Sequence, residues 1–149
     1  MPNHGTNVFS LTYVNDLVAA FIGALTDNET SSTYNITSHP KSSINRIANV
    51  AAKCLGERLN LCQVDSKFLQ HNNVSEWTDL PLWLNCDFYT YDNNKMLRDM
   101  EINISDFDLS IQKTIDYFKT TRWKTPEYGM SAELRKSLVA KLPSLKKVY

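Results

Sequence analysis

Glycine sets the first limit on what this chain can fold into. Four glycines, Gly5, Gly23, Gly56 and Gly129, are scattered over 149 residues. A loop that cradles a pyrophosphate on its backbone amides needs several glycines close together after a strand, because a Cβ would hold the main chain away from the phosphates. No G-x-G-x-x-G or G-x-x-G-x-x-G spacing occurs. A dinucleotide-binding loop is therefore absent from this sequence.

Local patterning predicts an alternation of strands and helices. Val8 to Val14 is rich in β-branched and aromatic residues and reads as a strand. Asn15 or Asp16 is expected to cap the helix that follows, in which Leu17, Val18, Ala20, Phe21, Ala24 and Leu25 keep helical spacing up to Asp27, Asn28 and Glu29. Ser32 to Thr37 reads as a second strand, and Pro40 to Ser42 as a turn. Ile44, Ile47, Ala48, Ala51 and Leu55 line one face of the next helix, capped by Ser42 or Ser43 and stopped by Gly56. Leu59 to Val64 reads as a third strand. An irregular, aromatic stretch from Asp65 to Tyr91 follows, and Asp92 or Asn93 then caps a short helix reaching Met100. A long helix from Asp108 and a last amphipathic one over Ser131 to Leu142 are separated by Pro126 and Gly129, with Pro143 ending the second. This is an α/β pattern with few strands for a free-standing sheet. It divides into residues 1–124 and a helical tail over 125–149.

Charge narrows the function classes. Sixteen basic and sixteen acidic side chains cancel. A balanced total leaves no electrostatic footprint for nucleic acid or an anionic membrane, and neither is expected as a partner. Lys141, Lys146 and Lys147 make a small basic patch that reads as a solvated helix end. The longest apolar stretch, Leu17 to Leu25, is too short to span a bilayer, and no basic or apolar run follows Met1. A cytoplasmic protein is expected, with Cys54, Cys62 and Cys86 as reduced thiols in no metal or redox spacing. The sequons at Asn28, Asn35, Asn73 and Asn103 then read as chance matches. His4, His39 and His71 lie far apart among polar neighbours and read as surface residues.

Several segments carry a likeness in their order. Gly5-Thr6-Asn7 leads into Tyr13-Val14-Asn15-Asp16-Leu17-Val18-Ala19-Ala20, which resembles a "YVxDLaxA" strand-to-helix passage. Thr33-Tyr34-Asn35-Ile36-Thr37 resembles "xYNIxs", and Ser43 to Gly56 the helix after it. Tyr91 to Met100 resembles an "xDxsKaxxxLG" segment, and Phe107 to Phe118 a closing helix. Together, over residues 3–120, they are similar to the carboxy-terminal portion of extended short-chain dehydrogenases, the NAD-dependent epimerase/dehydratase family. The tail after Trp123 has no counterpart in the likeness.

The resemblance implies the substrate-binding part of a two-part Rossmann-type enzyme. The nucleotide-binding half, with its NAD(P) loop and a Tyr-x-x-x-Lys pair, would lie outside this chain. The partners implied are a small-molecule substrate and either that missing half or another copy of the chain. Tyr91 and Lys95 do stand in Tyr-x-x-x-Lys spacing, but after the "YVxDL" passage, whereas the family's catalytic pair precedes it. They are read as structural, with Asp92 a cap and Lys95 solvated. No catalytic and no cofactor-binding residue is expected here.

Substrate class follows from two substitutions in the family pattern. Where relatives acting on nucleotide sugars carry arginines, this chain has Phe9 and the run Leu80-Pro81-Leu82-Trp83-Leu84. A diphosphate needs charge-assisted partners, so a less charged hydroxyl or carbonyl compound is expected instead. Phe9, Leu82, Trp83, Phe88 and Tyr89 are the expected substrate contacts, with Trp77 as a further wall. Two rival readings stand beside this one: a non-catalytic interaction module with the same shape, and an unrelated α/β domain. In the second case Val8–Val14 and Thr33–Thr37 would not pair as the family requires.

Overall fold

The computed structural model describes residues 1–26, 32–59, 61–123 and 128–142. The expected helix end at Asp27 to Glu29, the sequon at Asn28, and Pro126, Pro143, Lys146 and Lys147 lie outside the described residues. The fold is mixed α/β. In chain order it runs β1 (Val8–Leu11), α1 (Val14–Thr26), β2 (His39–Ser42), α2 (Ile44–Leu55), α3 (Ser66–His71), β3 (Phe88–Tyr89), α4 (Asn94–Asp99), α5 (Phe107–Thr120) and α6 (Ala132–Ala140). A 3-10 turn, Asn3–Gly5, precedes β1.

The sheet has the order β2-β1-β3. Strand β1 pairs antiparallel with β2, Phe9 facing Ser42 and Leu11 facing His39. Two residues on β1 thus span three on β2, which is a bulge. Pro40 sits in that bulge on an edge strand, where a residue without an N–H costs no ladder bond. The turn expected over Pro40 to Ser42 is therefore an edge strand. On its other side β1 pairs parallel with β3, Val8 to Phe88 and Phe9 to Tyr89. The long intervening chain supplies the crossover that parallel pairing needs.

Two expected strands are not strands among the described residues. Ser32 to Thr37 forms no ladder. Side chains bind it instead: the Thr12 hydroxyl donates to the Ile36 carbonyl at 2.8 Å, and the Asn93 amide to the Thr37 carbonyl at 2.8 Å. The expected strand from Leu59 to Val64 is reduced to one bridge, Pro2 to Val64, with Asn60 outside the described residues. Strand β1 also ends early, at Leu11, because the Tyr13 amide donates to the Ser38 hydroxyl at 2.9 Å and leaves the ladder.

Helix ends follow their chemistry more closely. The Ser43 hydroxyl accepts from the Arg46 amide and Gly56 closes α2 at φ 69°, a left-handed position that suits a residue without Cβ. Asp65, Asp106 and Ser131 accept first-turn amides of α3, α5 and α6 in the same way. Helix α1 departs from expectation. It already begins at Val14, and Asp16 is a buried residue of its first turn, not a cap.

Two apolar clusters hold the fold. One joins Leu69, Val74, Trp83 and Leu138. The other joins Ala20, Met96 and Met100, with Tyr34, Ile36, Ile102 and Ile104 against it. Each fully buried large side chain contributes about 1.5–3 kcal/mol of transfer free energy.

Candidate functional site

Strand β1 carries the candidate site, because residues of its two faces and of β3 meet there. Phe9, Leu82 and Tyr89 line one cavity of about 70 Å³, with Trp77, Leu84 and Cys86. Trp83 is not part of it: the side chain is 1% exposed and packs with Leu69 and Leu138. Phe88 is 72% exposed, since β3 alternates its side chains and Tyr89 takes the inner side. The loop that presents this wall is strained. Trp77 stands at φ 60° and Leu82 at φ 66°, left-handed positions costing roughly 1–2 kcal/mol each for a residue with a Cβ. The Trp77 amide donates to the Trp83 carbonyl at 3.3 Å, and the Asn85 amide to the Glu76 carboxylate at 3.0 Å. These bonds close the loop and fix both positions.

Ser10 also borders a second, more polar cavity of about 290 Å³, whose walls include Thr12, Tyr34, Asn35 and Tyr91. The Ser10 hydroxyl donates to the Pro40 carbonyl at 3.0 Å and accepts from the Tyr91 amide at 2.8 Å. Tyr89 lines the first cavity and Tyr91 the second, and their phenol oxygens are 2.6 Å apart. The hydrogen bond to Tyr89 raises the Tyr91 pKa above its ordinary value, so the hydroxyl is a proton-bearing donor or acceptor at neutral pH. No side chain lining either cavity is formally charged. The arrangement offers an apolar slot beside a row of neutral hydroxyl and amide groups. The walls suit neutral hydroxyl or carbonyl groups, and the Lys95 ammonium stands behind the Tyr34 ring, 4.7 Å from its centre.

Segments far apart in sequence are cemented together around this cleft. Asn35 donates to the Asp92 carbonyl at 3.1 Å, and Thr37 to the Leu11 carbonyl at 2.8 Å. Lys95 is not simply solvated: its ammonium donates to the Thr33 carbonyl at 3.2 Å and lies 4.7 Å from the centre of the Tyr34 ring. Tyr91 precedes α4 and Lys95 lies within it, so the two do not share a helix face. Asp16, 4% exposed, receives the Ser105 hydroxyl at 2.6 Å and the Ser105 amide at 3.2 Å. Burial alone would raise its pKa. The Ser105 hydroxyl, the Ser38 hydroxyl and the Ser105 amide outweigh that and hold it below the ordinary carboxylate value.

Sequence reasoning missed one buried polar group nearby. His39 was expected at the surface, yet its Nε2 is buried with no partner among the described residues, and its ring stands edge-on to Phe107 at 5.0 Å. Burial and the Arg46 charge lower its pKa. Nothing in the flanking polar residues signals this, because it arises from Phe107, distant in sequence.

Cys54 and Cys62 are half-buried and Cys86 is exposed, all as free thiols. Among the described residues no three of His, Cys, Asp and Glu come together as a metal-ion site, and no helix is long and apolar enough to cross a membrane. No family model, no curated protein and no solved structure matches this chain.

Proposed function

We propose that this chain is the substrate-binding portion of an NAD(P)-dependent oxidoreductase, epimerase or dehydratase of the extended short-chain dehydrogenase kind, inactive alone. Its substrate is a neutral hydroxyl or carbonyl compound and not a nucleotide sugar. The observation that carries this is the meeting of the motif-like segments. Tyr34 to Thr37 is bonded both to the end of β1 and to the Asp92–Asn93 turn, beside cavities without a charged wall. Chemistry on the substrate then needs groups from outside the chain.

The residues present do not fit a dinucleotide. Gly5 ends a 3-10 turn, Gly23 lies inside α1, Gly56 caps α2 and Gly129 precedes α6, so no two of them form one loop. The missing nucleotide-binding half is the partner proposed here. Val14, Val18, Phe21, Ile22 and Leu25 are all about half exposed or more, which leaves an apolar stripe on α1 for it to cover. On this reading the ladder neighbours of Thr33 to Thr37 also belong to that half. The same lack of a ladder, with the antiparallel pairing of β1 and β2, favours an unrelated α/β domain.

Titration calorimetry of the purified chain with NAD⁺ and NADP⁺ tests the proposal, with no micromolar binding expected. Micromolar affinity for either would overturn it. The coding sequence directly upstream of Met1 is a second test: a glycine-rich loop and a Tyr-x-x-x-Lys in frame support the proposal. A folded homodimer in light scattering would favour the interaction module instead.

A further inference from the structure

A third cavity joins α3 and the Asp79–Pro81 turn to the helical tail, which the family likeness does not reach. It opens between α3, the Asp79–Pro81 turn and α6, and measures about 430 Å³. Small-molecule sites run from roughly 300 to 1,000 Å³. Phe68 and Leu69 of α3 form one wall, Leu80 and Pro81 a second, and Leu138 and Val139 of α6 a third. The frame is fixed. Leu138 is locked against Leu69 and Trp83, and the Met130 amide donates to the Asp79 carbonyl at 2.7 Å, holding the chain at the start of α6. Gly129, at φ 93°, turns the backbone through a conformation that a residue with a Cβ rarely adopts.

Two charged side chains border this apolar space, Asp79 and Arg135. Asp79 is already engaged, its carboxylate accepting the Ser75 amide at 2.6 Å. Arg135 is exposed and forms no ion pair among the described residues. It stands three and four residues before Leu138 and Val139, so its guanidinium and the apolar wall share one face of α6. A guanidinium offers only donors, in a planar fork that matches a carboxylate.

We propose that this cavity binds a small amphiphilic carboxylate, with its apolar body against Leu69, Leu138 and Val139 and its carboxylate on Arg135. The site uses no residue of the β1 cleft, so it stands whether or not the enzyme-portion reading does.

Decanoate, decanol and decylamine serve as probes, titrated below their aggregation thresholds into the purified chain and followed by ¹⁵N amide shifts. Cys62 lines the cavity and is half-buried, which gives a second readout. In a Cys54→Ser, Cys86→Ser background, its rate of alkylation reports occupancy. Decanoate is expected to shift the amides of Leu69, Leu138 and Val139, to slow Cys62 alkylation, and to bind about tenfold tighter than decanol, the worth of one charge-assisted contact. Arg135→Gln, at an exposed position, should bring decanoate down to the decanol affinity, and Arg135→Lys should recover part of the difference. Equal affinity for decanoate and decanol, an unchanged affinity in Arg135→Gln, or shifts confined to other residues would overturn the proposal.

Discussion

The two apolar clusters differ in how far polar bonds and how far bulk join them. Around Ala20, Met96 and Met100 the buried apolar side chains are modest in size, and long-range polar bonds do the joining: Asp16 to Ser105, Asn93 to Thr37, Thr37 to Leu11. Around Leu69, Val74, Trp83 and Leu138 the buried bulk is greater, with one fully buried tryptophan, and the Met130–Asp79 and Lys141–Asn72 bonds tie α6 to it. A polar bond needs a given side chain at a given place, so the first region leaves short motifs in the sequence. Bulk packing accepts any residue of suitable volume, so the second leaves none.

The largest expected effect tests whether these regions are one folding unit. Trp83→Ala removes the largest buried side chain and should cost about 3–5 kcal/mol. Urea unfolding followed by circular dichroism and by fluorescence should give one coincident transition at a lower midpoint. If the wild-type chain instead shows two transitions, and Trp83→Ala moves only one, the regions fold separately. Met96→Ala, in the other cluster, should cost about 2–5 kcal/mol and move the same transition.

Asp16 sharpens the contrast from the polar side. Asp16→Ala would strand the Ser105 amide and hydroxyl, and each buried group left without a partner costs about 1–3 kcal/mol. Ser105→Ala removes the hydroxyl bond but keeps the amide one, and should cost less. Equal midpoints for wild type and Asp16→Ala would show that this region does not depend on its polar bonds. Local caps should not distinguish the regions. Asp106→Ala on α5 and Ser131→Ala on α6 each lose one first-turn bond and about 1 kcal/mol.

What the sequence made legible divides along the same line. The caps and ends of α2 and the α/β pattern were open to reading, because capping oxygens and a left-handed glycine act over a few residues. Strand partners were not. Pro40 looks like a turn until a bulge on an edge strand accommodates it, and Thr33 to Thr37 looks like a strand although its carbonyls are taken by Thr12 and Asn93. Trp83 and Phe88 were expected in the cleft from the family resemblance, which cannot say which way a side chain points.

The smallest effect expected concerns His39, where burial opposes charge. Arg46 lies close, with its guanidinium 3.9 Å from the centre of the Phe107 ring, and its charge adds to burial in lowering the His39 pKa. Asp16 and Asp106 pull the other way without prevailing. The folded protein therefore takes up this proton less readily than the unfolded chain, whose histidine keeps the ordinary value of 6.5. Stability from this site is complete above 6.5 and falls as the pH drops through 6.5 toward the lower folded value. The Asp16 contribution goes in the same direction but only near and below the ordinary carboxylate value of 3.8. Urea midpoints measured stepwise from pH 8 to pH 5 should thus decline for the wild-type chain. His39→Gln should flatten the part of that decline below about 6.5, leaving the share of the Met1 ammonium, whose pKa burial lowers from 8.0, and the Asp16 loss at more acid pH. A decline of undiminished slope in His39→Gln would mean that another group senses the pH, and that the buried ring is a packing element alone.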